Sequence, residues 1–402
     1  MSAQVSQRLT SLPVSATRKL TPFALEAKKS GVKVLHLNTG DPDIKTPEVM
    51  INALRNWSIN PIRYAQSSGE PHFIKALLSY YSKIGFPEIS ETEIIATVGG
   101  SEAVNLSFYS VASPGEEILT FEPFYSNYAS VAHFMGGLKI VTVPAGKETN
   151  YHLPSREVIE SKISKKTRAI LYCSPGNPTG AVFSKKEVEL LVSIAKDHNL
   201  FLISDEVYRE YIFEGEHTSL LSYMDEIPDN AILLDSLSKR YSLCGARLGV
   251  IISKNTELIK GITKLTQVRL SGGLIDQEMA SHLTEVPDSY IEDVKTEYKK
   301  RRDVLYEGLT AINGVEMSIP EGAFYSMITL PVENAEDFSI FLLNKFRVNN
   351  ETVMLAPGAG FYATEGLGKN QVRIAYILNT EDLKRAINII QKGLAEYKRE
   401  SS

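Results

Sequence analysis

Lys239 and Arg247 stand eight residues apart in ILLDSLSKRYSLCGARLG, residues 232–249, where an apolar run gives way to a serine-rich turn. A lone lysine at such a turn is ordinarily a solvated loop residue. Four further clusters change its meaning. GGSEA, residues 99–103, offers backbone N–H groups and a hydroxyl ahead of a helical pattern, the arrangement that favours a phosphate. Ser236 and Ser238 add hydroxyls, and Arg247 can contact the same anion with two prongs. Tyr125, in EPFYSNY, can stack on a planar ring. Asp205, in SDEVY, can pair with a cationic ring nitrogen. At ~4 Å and an effective dielectric near ~20 that pairing is worth about 4 kcal/mol, or roughly three pKa units. Asn177, in SPGNPTG, and Tyr208 can both hydrogen-bond a phenolic oxygen. The Lys239 amine can form a Schiff base with an aldehyde. A phosphate, a protonated pyridine, a phenolic oxygen and an aldehyde together describe pyridoxal 5′-phosphate.

These residues need elements that bring them together. Seven short apolar runs recur between residues 93 and 253: EIIATV, EEILTF, LKIVTV, RAILYC, LFLISD, AILLDS and LGVIIS. Amphipathic segments separate several of them, such as SKKEVELLVSIAKDHN at 184–199. That alternation predicts an α/β fold whose mostly parallel sheet is sandwiched by helices. Ligands of such sheets bind at the carboxyl ends of the strands, where the five clusters fall. After Pro287 the pattern changes to a long charged helix, a Gly-Pro-punctuated stretch and a last helix from about Glu381 to Lys398. The expected organisation is a large domain over residues 47–285. A small α+β domain comes from both termini, residues 1–46, which include an N-terminal arm, and 286–402.

Bulk properties exclude other classes. The chain has 402 residues and a formal net charge of −5, so there is no basic field for nucleic acid. No apolar stretch approaches a membrane span. The first twenty residues hold no apolar core of the kind a signal peptide needs, so a cytoplasmic protein is expected. The 2 cysteines, Cys173 and Cys244, cannot make a disulfide framework and are expected to be small buried hydrophobes. No metal site is expected.

SPGNPTG, SDEVY and SLSK with an arginine eight residues after the lysine, in this order, resemble the class I/II aminotransferases of fold-type I, in the aspartate/aromatic branch. The likeness runs from LNTGDPDIKTP to VRIAYILN and takes in RYAQSSGEPHFIKAL and MLAPGAGF. By this resemblance Lys239, Asp205 and Tyr208 are catalytic. Tyr125 stacks on the ring, and Asn177 joins Tyr208 at the phenolic oxygen. Gly100, Ser101, Glu102 (through its backbone N–H), Ser236, Ser238 and Arg247 bind the phosphate. Tyr64 matches a tyrosine that reaches the neighbouring subunit's phosphate, which implies a homodimer. Arg373 clamps the substrate α-carboxylate, with Gly40 and Asn177 beside it.

The resemblance implies transfer of an amino group between an L-amino acid, aspartate or aromatic, and a 2-oxo acid, with glutamate and 2-oxoglutarate as the partner pair. A lysine that some aspartate-specific relatives carry is replaced here by Ser101. Arg18 and Arg269 are candidates for a side-chain carboxylate, and Ser15, Thr17 and Arg18 match a segment that closes over the substrate. The alternative on the same fold is a pyridoxal-phosphate-dependent C–S β-lyase. A cofactor-binding transcription factor would need an added DNA-binding domain, for which the sequence leaves no room. A nicotinamide dehydrogenase would need a G-x-G-x-x-G after its first strand.

Overall fold

The computed structural model describes residues 3–401. Its larger sheet has seven strands: β1 Ile94–Val98, β2 Glu117–Glu122, β3 Lys139–Pro144, β4 Thr167–Cys173, β5 Phe201–Asp205, β6 Ala231–Ser236 and β7 Leu248–Ile252. The spatial order is β1-β7-β6-β5-β4-β2-β3. All neighbours run parallel except β7, which is antiparallel to both β1 and β6. Six strands therefore end on one edge, and β7 begins there, with Arg247 just before it.

Except at the edge strand β3, both parities of these strands are apolar because both faces are covered. Ile170, Leu202 and Leu233 pack with Phe73 and Leu77 of helix Pro71–Lys83 and Leu191 of helix Lys185–Asp197. Leu171, Ile203 and Ile232 face Val104 and Phe108 of helix Gly99–Val111 and Ile262 of helix Thr256–Arg269. Each such side chain contributes about 2 kcal/mol on burial. Helix Lys185–Asp197 starts where the sequence signals it: Ser184 accepts from the Glu187 N–H, and the Glu187 carboxylate accepts from the Ser184 N–H.

A second sheet has four antiparallel strands in the order Ala356–Pro357, Gln371–Ala375, Tyr325–Thr329, Glu316–Met317. Strand Lys33–His36 pairs in parallel with Glu351–Met354, which ties the N-terminal segment to the C-terminal one. A third apolar cluster joins these strands to helices Asp288–Thr310 and Thr380–Ser401 through Tyr298, Leu305, Phe324, Ile374 and Ile390. No described helix is long and apolar enough to cross a membrane.

Candidate active site

The sheet edge and the second sheet enclose a cavity of about 570 Å³. At its floor β5 ends on Asp205, whose Oδ2 accepts from the Tyr128 hydroxyl at 2.5 Å and whose Oδ1 accepts from the Val207 N–H at 3.3 Å. No cation pairs with it among the described residues. Burial pushes this carboxyl up to about 6, against the pull of those two hydrogen bonds. Next along, β6 passes into the short helix Leu237–Arg240, capped by Ser236, whose Oγ accepts from the Ser238 N–H at 3.2 Å. Lys239 Nζ donates to the Gly40 carbonyl at 2.7 Å and to Cys244 Sγ at 3.3 Å. Gly40 must be glycine, because a Cβ there would lie 1.8 Å from the Tyr325 hydroxyl.

Gly100 and Ser101 line the cavity where helix Gly99–Val111 begins, near Ser236, Ser238 and Arg247. Arg247 adopts the left-handed conformation, φ 54°, and its Nη1 donates to the Cys244 carbonyl at 2.9 Å. A Cβ on Gly99, itself at φ +74°, would lie 2.6 Å from Arg247 Nη2. No carboxylate pairs with Arg247 among the described residues. Tyr125, Asn177 and Tyr208 also line the cavity, the Tyr208 hydroxyl donating to that of Tyr325 at 3.0 Å.

Arg373 comes from strand Gln371–Ala375 and is 2% exposed. Its Nη1 donates to Asn177 Oδ1 at 3.0 Å and its Nη2 to the Asn38 carbonyl at 2.5 Å. The guanidinium lies 4.5 Å from the Tyr325 ring centroid and 4.9 Å from that of Phe361. Burial lowers its pKa, and Nε has no hydrogen-bond partner. No described carboxylate pairs with it, so a structural salt bridge does not explain a cation placed this deep.

Four candidates lie outside the cavity lining: Ser15, Tyr64, Glu102 and Arg269. Tyr64 is 81% exposed. Glu102 accepts from the Val98 N–H at 2.6 Å and pairs with Arg269 Nε at 2.9 Å. Arg269 also donates to the carbonyls of Ser67 and Ala96, so it is occupied away from the cavity. Arg18 and Thr17 do line it. Tyr128, Tyr325 and Cys244 were not singled out by sequence. Tyr128 had a faint signal, one helical turn beyond Tyr125 in an aromatic-rich loop. Cys244, expected as a buried hydrophobe, is half-buried and faces the cavity.

The family model for aminotransferase class I and II matches residues 32–390. The chain belongs to the class I and II aminotransferases. It is 31% identical to the aspartate/prephenate aminotransferase of Thermus thermophilus over 95% of this chain and 97% of that one. Its structure is similar to that of the aspartate aminotransferase from Thermus thermophilus with maleate, TM-score 0.87 at 29% identity, covering 98% and 100% of the two chains. An alanine aminotransferase from Pyrococcus furiosus matches with the same TM-score, identity and coverage.

This aminotransferase is a pyridoxal-phosphate-dependent transaminase, and its cavity fits that cofactor. Among the described residues the buried Asp205 carboxyl has no cation beside it and Arg247 no carboxylate, and Arg247 is set against a glycine too close to carry a side chain. Asp205 would suit a cationic ring nitrogen, Arg247 a phosphate and the Lys239 amine an aldehyde, and all three line the one cavity. Arg373 lines the same cavity and has no carboxylate partner among the described residues.

Proposed function

We propose that the chain transfers amino groups between dicarboxylic or aromatic L-amino acids and 2-oxo acids, with aspartate as a donor and glutamate and 2-oxoglutarate as the partner pair. One observation carries this: a desolvated guanidinium, Arg373, opens into the same cavity as Lys239 and has no counter-ion among the described residues. An α-carboxylate supplies one, in the two-pronged geometry a lysine could not match. Gly40 and Asn177 flank that carboxylate.

In this proposal Lys239 holds the cofactor aldehyde and Asp205 its ring nitrogen. Tyr208 and Asn177 serve the phenolic oxygen, and Tyr125 covers the ring. Ser236, Ser238, Arg247, Ser101 and the backbone N–H groups of Gly100 and Glu102 bind the phosphate. When bound, pyridoxal phosphate supplies an electron sink for the charge left as the α-proton departs. Lys239 Nζ takes that proton and returns it, as general base and then acid. Arg373 fixes the substrate so that the proton faces Nζ, which is an orientation effect. Tyr64 serves a second copy of the chain, so the working unit is a homodimer in the cytoplasm. The large domain spans residues 47–285, and residues 1–46 and 286–402 form the small one.

The relatives' names support the aspartate donor, and maleate, found with one of them, is a dicarboxylate. The test is the half-reaction spectrum against aspartate, glutamate, alanine, phenylalanine, tyrosine and arginine, followed by turnover with 2-oxoglutarate. Conversion of aspartate and glutamate is expected, with phenylalanine and tyrosine within about a thousandfold, or roughly 4 kcal/mol. Fast turnover of arginine or alanine with none of aspartate would overturn the proposal.

A further inference from the structure

Two cysteines lie near the reacting groups, and they behave differently. Cys173 Sγ donates to the Pro175 carbonyl at 3.3 Å, beneath the sheet edge. Cys244 lines the cavity, with Sγ 3.3 Å from Lys239 Nζ and 3.3 Å from the Ser238 carbonyl oxygen. Valence sets the direction of both bonds. An ammonium only donates and a carbonyl only accepts, so the thiol accepts from Lys239 and donates to Ser238. Lys239 Nζ makes its other bond to the Gly40 carbonyl. The amine is thus gripped from two separate loops, one following strand Lys33–His36 and one following helix Leu237–Arg240.

We infer that Cys244 is a positioning residue for the reactive amine: with the Gly40 carbonyl it holds Lys239 Nζ, as the ammonium, whenever that nitrogen carries no covalent partner. The inference rests on Lys239 being the reactive lysine. A thiol suits the task because its hold is weak. A carboxylate at the same distance would bind the ammonium through a charge-assisted bond and resist giving up its proton. Burial keeps Cys244 above the usual thiol range, so it meets the lysine as a neutral thiol. Burial pulls the Lys239 ammonium down, but Tyr325 and Cys244 more than offset that, and its pKa stands above the ordinary lysine value. The other titratable groups facing this pair are Tyr125, from the loop after β2, and Asp41, which reaches the thiol. Phe324 adds a ring face 5.9 Å from Nζ.

The test reads the amine itself, in cofactor-free protein. Trace acetic anhydride is applied across a pH series, and acetylation of the Lys239 peptide is followed by mass spectrometry in wild type, Cys244→Ala, Cys244→Val and Cys244→Ser. Losing a hydrogen bond to a charged donor is expected to lower the midpoint by about one pH unit in the Ala and Val variants. Acetylation below the midpoint then runs roughly tenfold faster. The serine hydroxyl can make both bonds, so Cys244→Ser stays near wild type. Valine fills the thiol's volume, which separates the hydrogen bond from packing. Unchanged midpoints in Ala and Val, or a Ser variant shifted as far as they are, would overturn the inference. Borohydride fixation of the cofactor to a different lysine would instead overturn the assignment of Lys239.

Discussion

The cavity side and the back side of the same strand ends carry adjacent residues: Asp205 with Glu206, and Lys239 with Arg240. Glu206 is as deeply buried as Asp205, yet its carboxyl is held down to about 2. His217 and Arg209 outweigh burial, and the Leu220 N–H adds a hydrogen bond. Asp205, with no cation beside it among the described residues, is pushed by burial up to about 6. Arg240 pairs with Asp235 at 2.6 Å, approaches Glu210 at 3.4 Å and covers the Tyr80 ring at 4.1 Å. Lys239 beside it hydrogen-bonds a carbonyl and a thiol and has no carboxylate partner among the described residues. Burial is common to both sides, and the supply of partners differs. The back side satisfies its charges from the protein, which stabilises the fold. The cavity side leaves them for ligands.

Substitutions on the two sides should therefore fail in different ways. The largest effect is expected from Lys239→Ala, which removes the group proposed both to attach the cofactor and to act as base. Half-reaction rates should fall about 10³- to 10⁴-fold while the melting temperature of the cofactor-free protein holds. On the proposed pairing of Asp205 with the ring nitrogen, Asp205→Asn should lower kcat about a thousandfold.

The same substitution has an opposite consequence for stability. A carboxyl raised to about 6 contributes stability below about pH 4 that is lost as pH rises through 6. The term is about 3 kcal/mol for a shift of about two units. Cofactor-free Asp205→Asn should lose correspondingly less stability than wild type between pH 4 and 7, read by urea unfolding. Glu206 works the other way: its contribution is present above about pH 4.5 and is lost as pH falls toward 2. On the back side, Arg240→Met leaves Asp235 buried without its cation. About 3–5 kcal/mol of stability should be lost, with a far smaller change in rate per folded molecule. Equal losses of rate and stability on both sides would dissolve the contrast.

The same distinction decides what was legible in the sequence. All seven strands of the large sheet showed as apolar runs, and in the six inside the β3 edge both parities are largely buried, so no polar parity hides them. The cluster of polar residues on one edge followed from that. The reversed direction of β7 did not, since an apolar run has no direction, and that reversal is what brings Arg247 to the edge. Tyr325 and Asn38 were missed because their contacts join segments more than a hundred residues apart: Tyr325 with Tyr208, and Asn38 with Arg373. Cys244 was missed because a single cysteine carries no pattern. Glu206 and Arg240 read as neighbours of functional residues, with nothing in their spacing to show that they face away.

The smallest expected effect concerns the open wall of the cavity, where Arg18 is exposed and has no carboxylate partner among the described residues. Its segment is held in place on both sides. Ala16 packs with Ala356 and Phe361. The Thr17 carbonyl accepts from Asn38 Nδ2 at 2.7 Å, and the Asn38 carbonyl in turn accepts from Arg373. The Arg18 segment and Arg373, the proposed α-carboxylate partner, thus hang on one asparagine. With Arg269 bound to Glu102, Arg18 is the free arginine of the two considered for a side-chain carboxylate. An exposed ion pair is worth at most about 1 kcal/mol and is screened by salt. Arg18→Ala should therefore lower kcat/KM for aspartate and glutamate about fivefold at low ionic strength and less at high, leaving alanine unchanged. A loss shared equally by alanine would mean that Arg18 serves the placement of its segment, and the side-chain carboxylate would need another partner. An unchanged value for all three would mean that the far end of the substrate is read by hydroxyls such as Thr17, whose contribution salt does not screen.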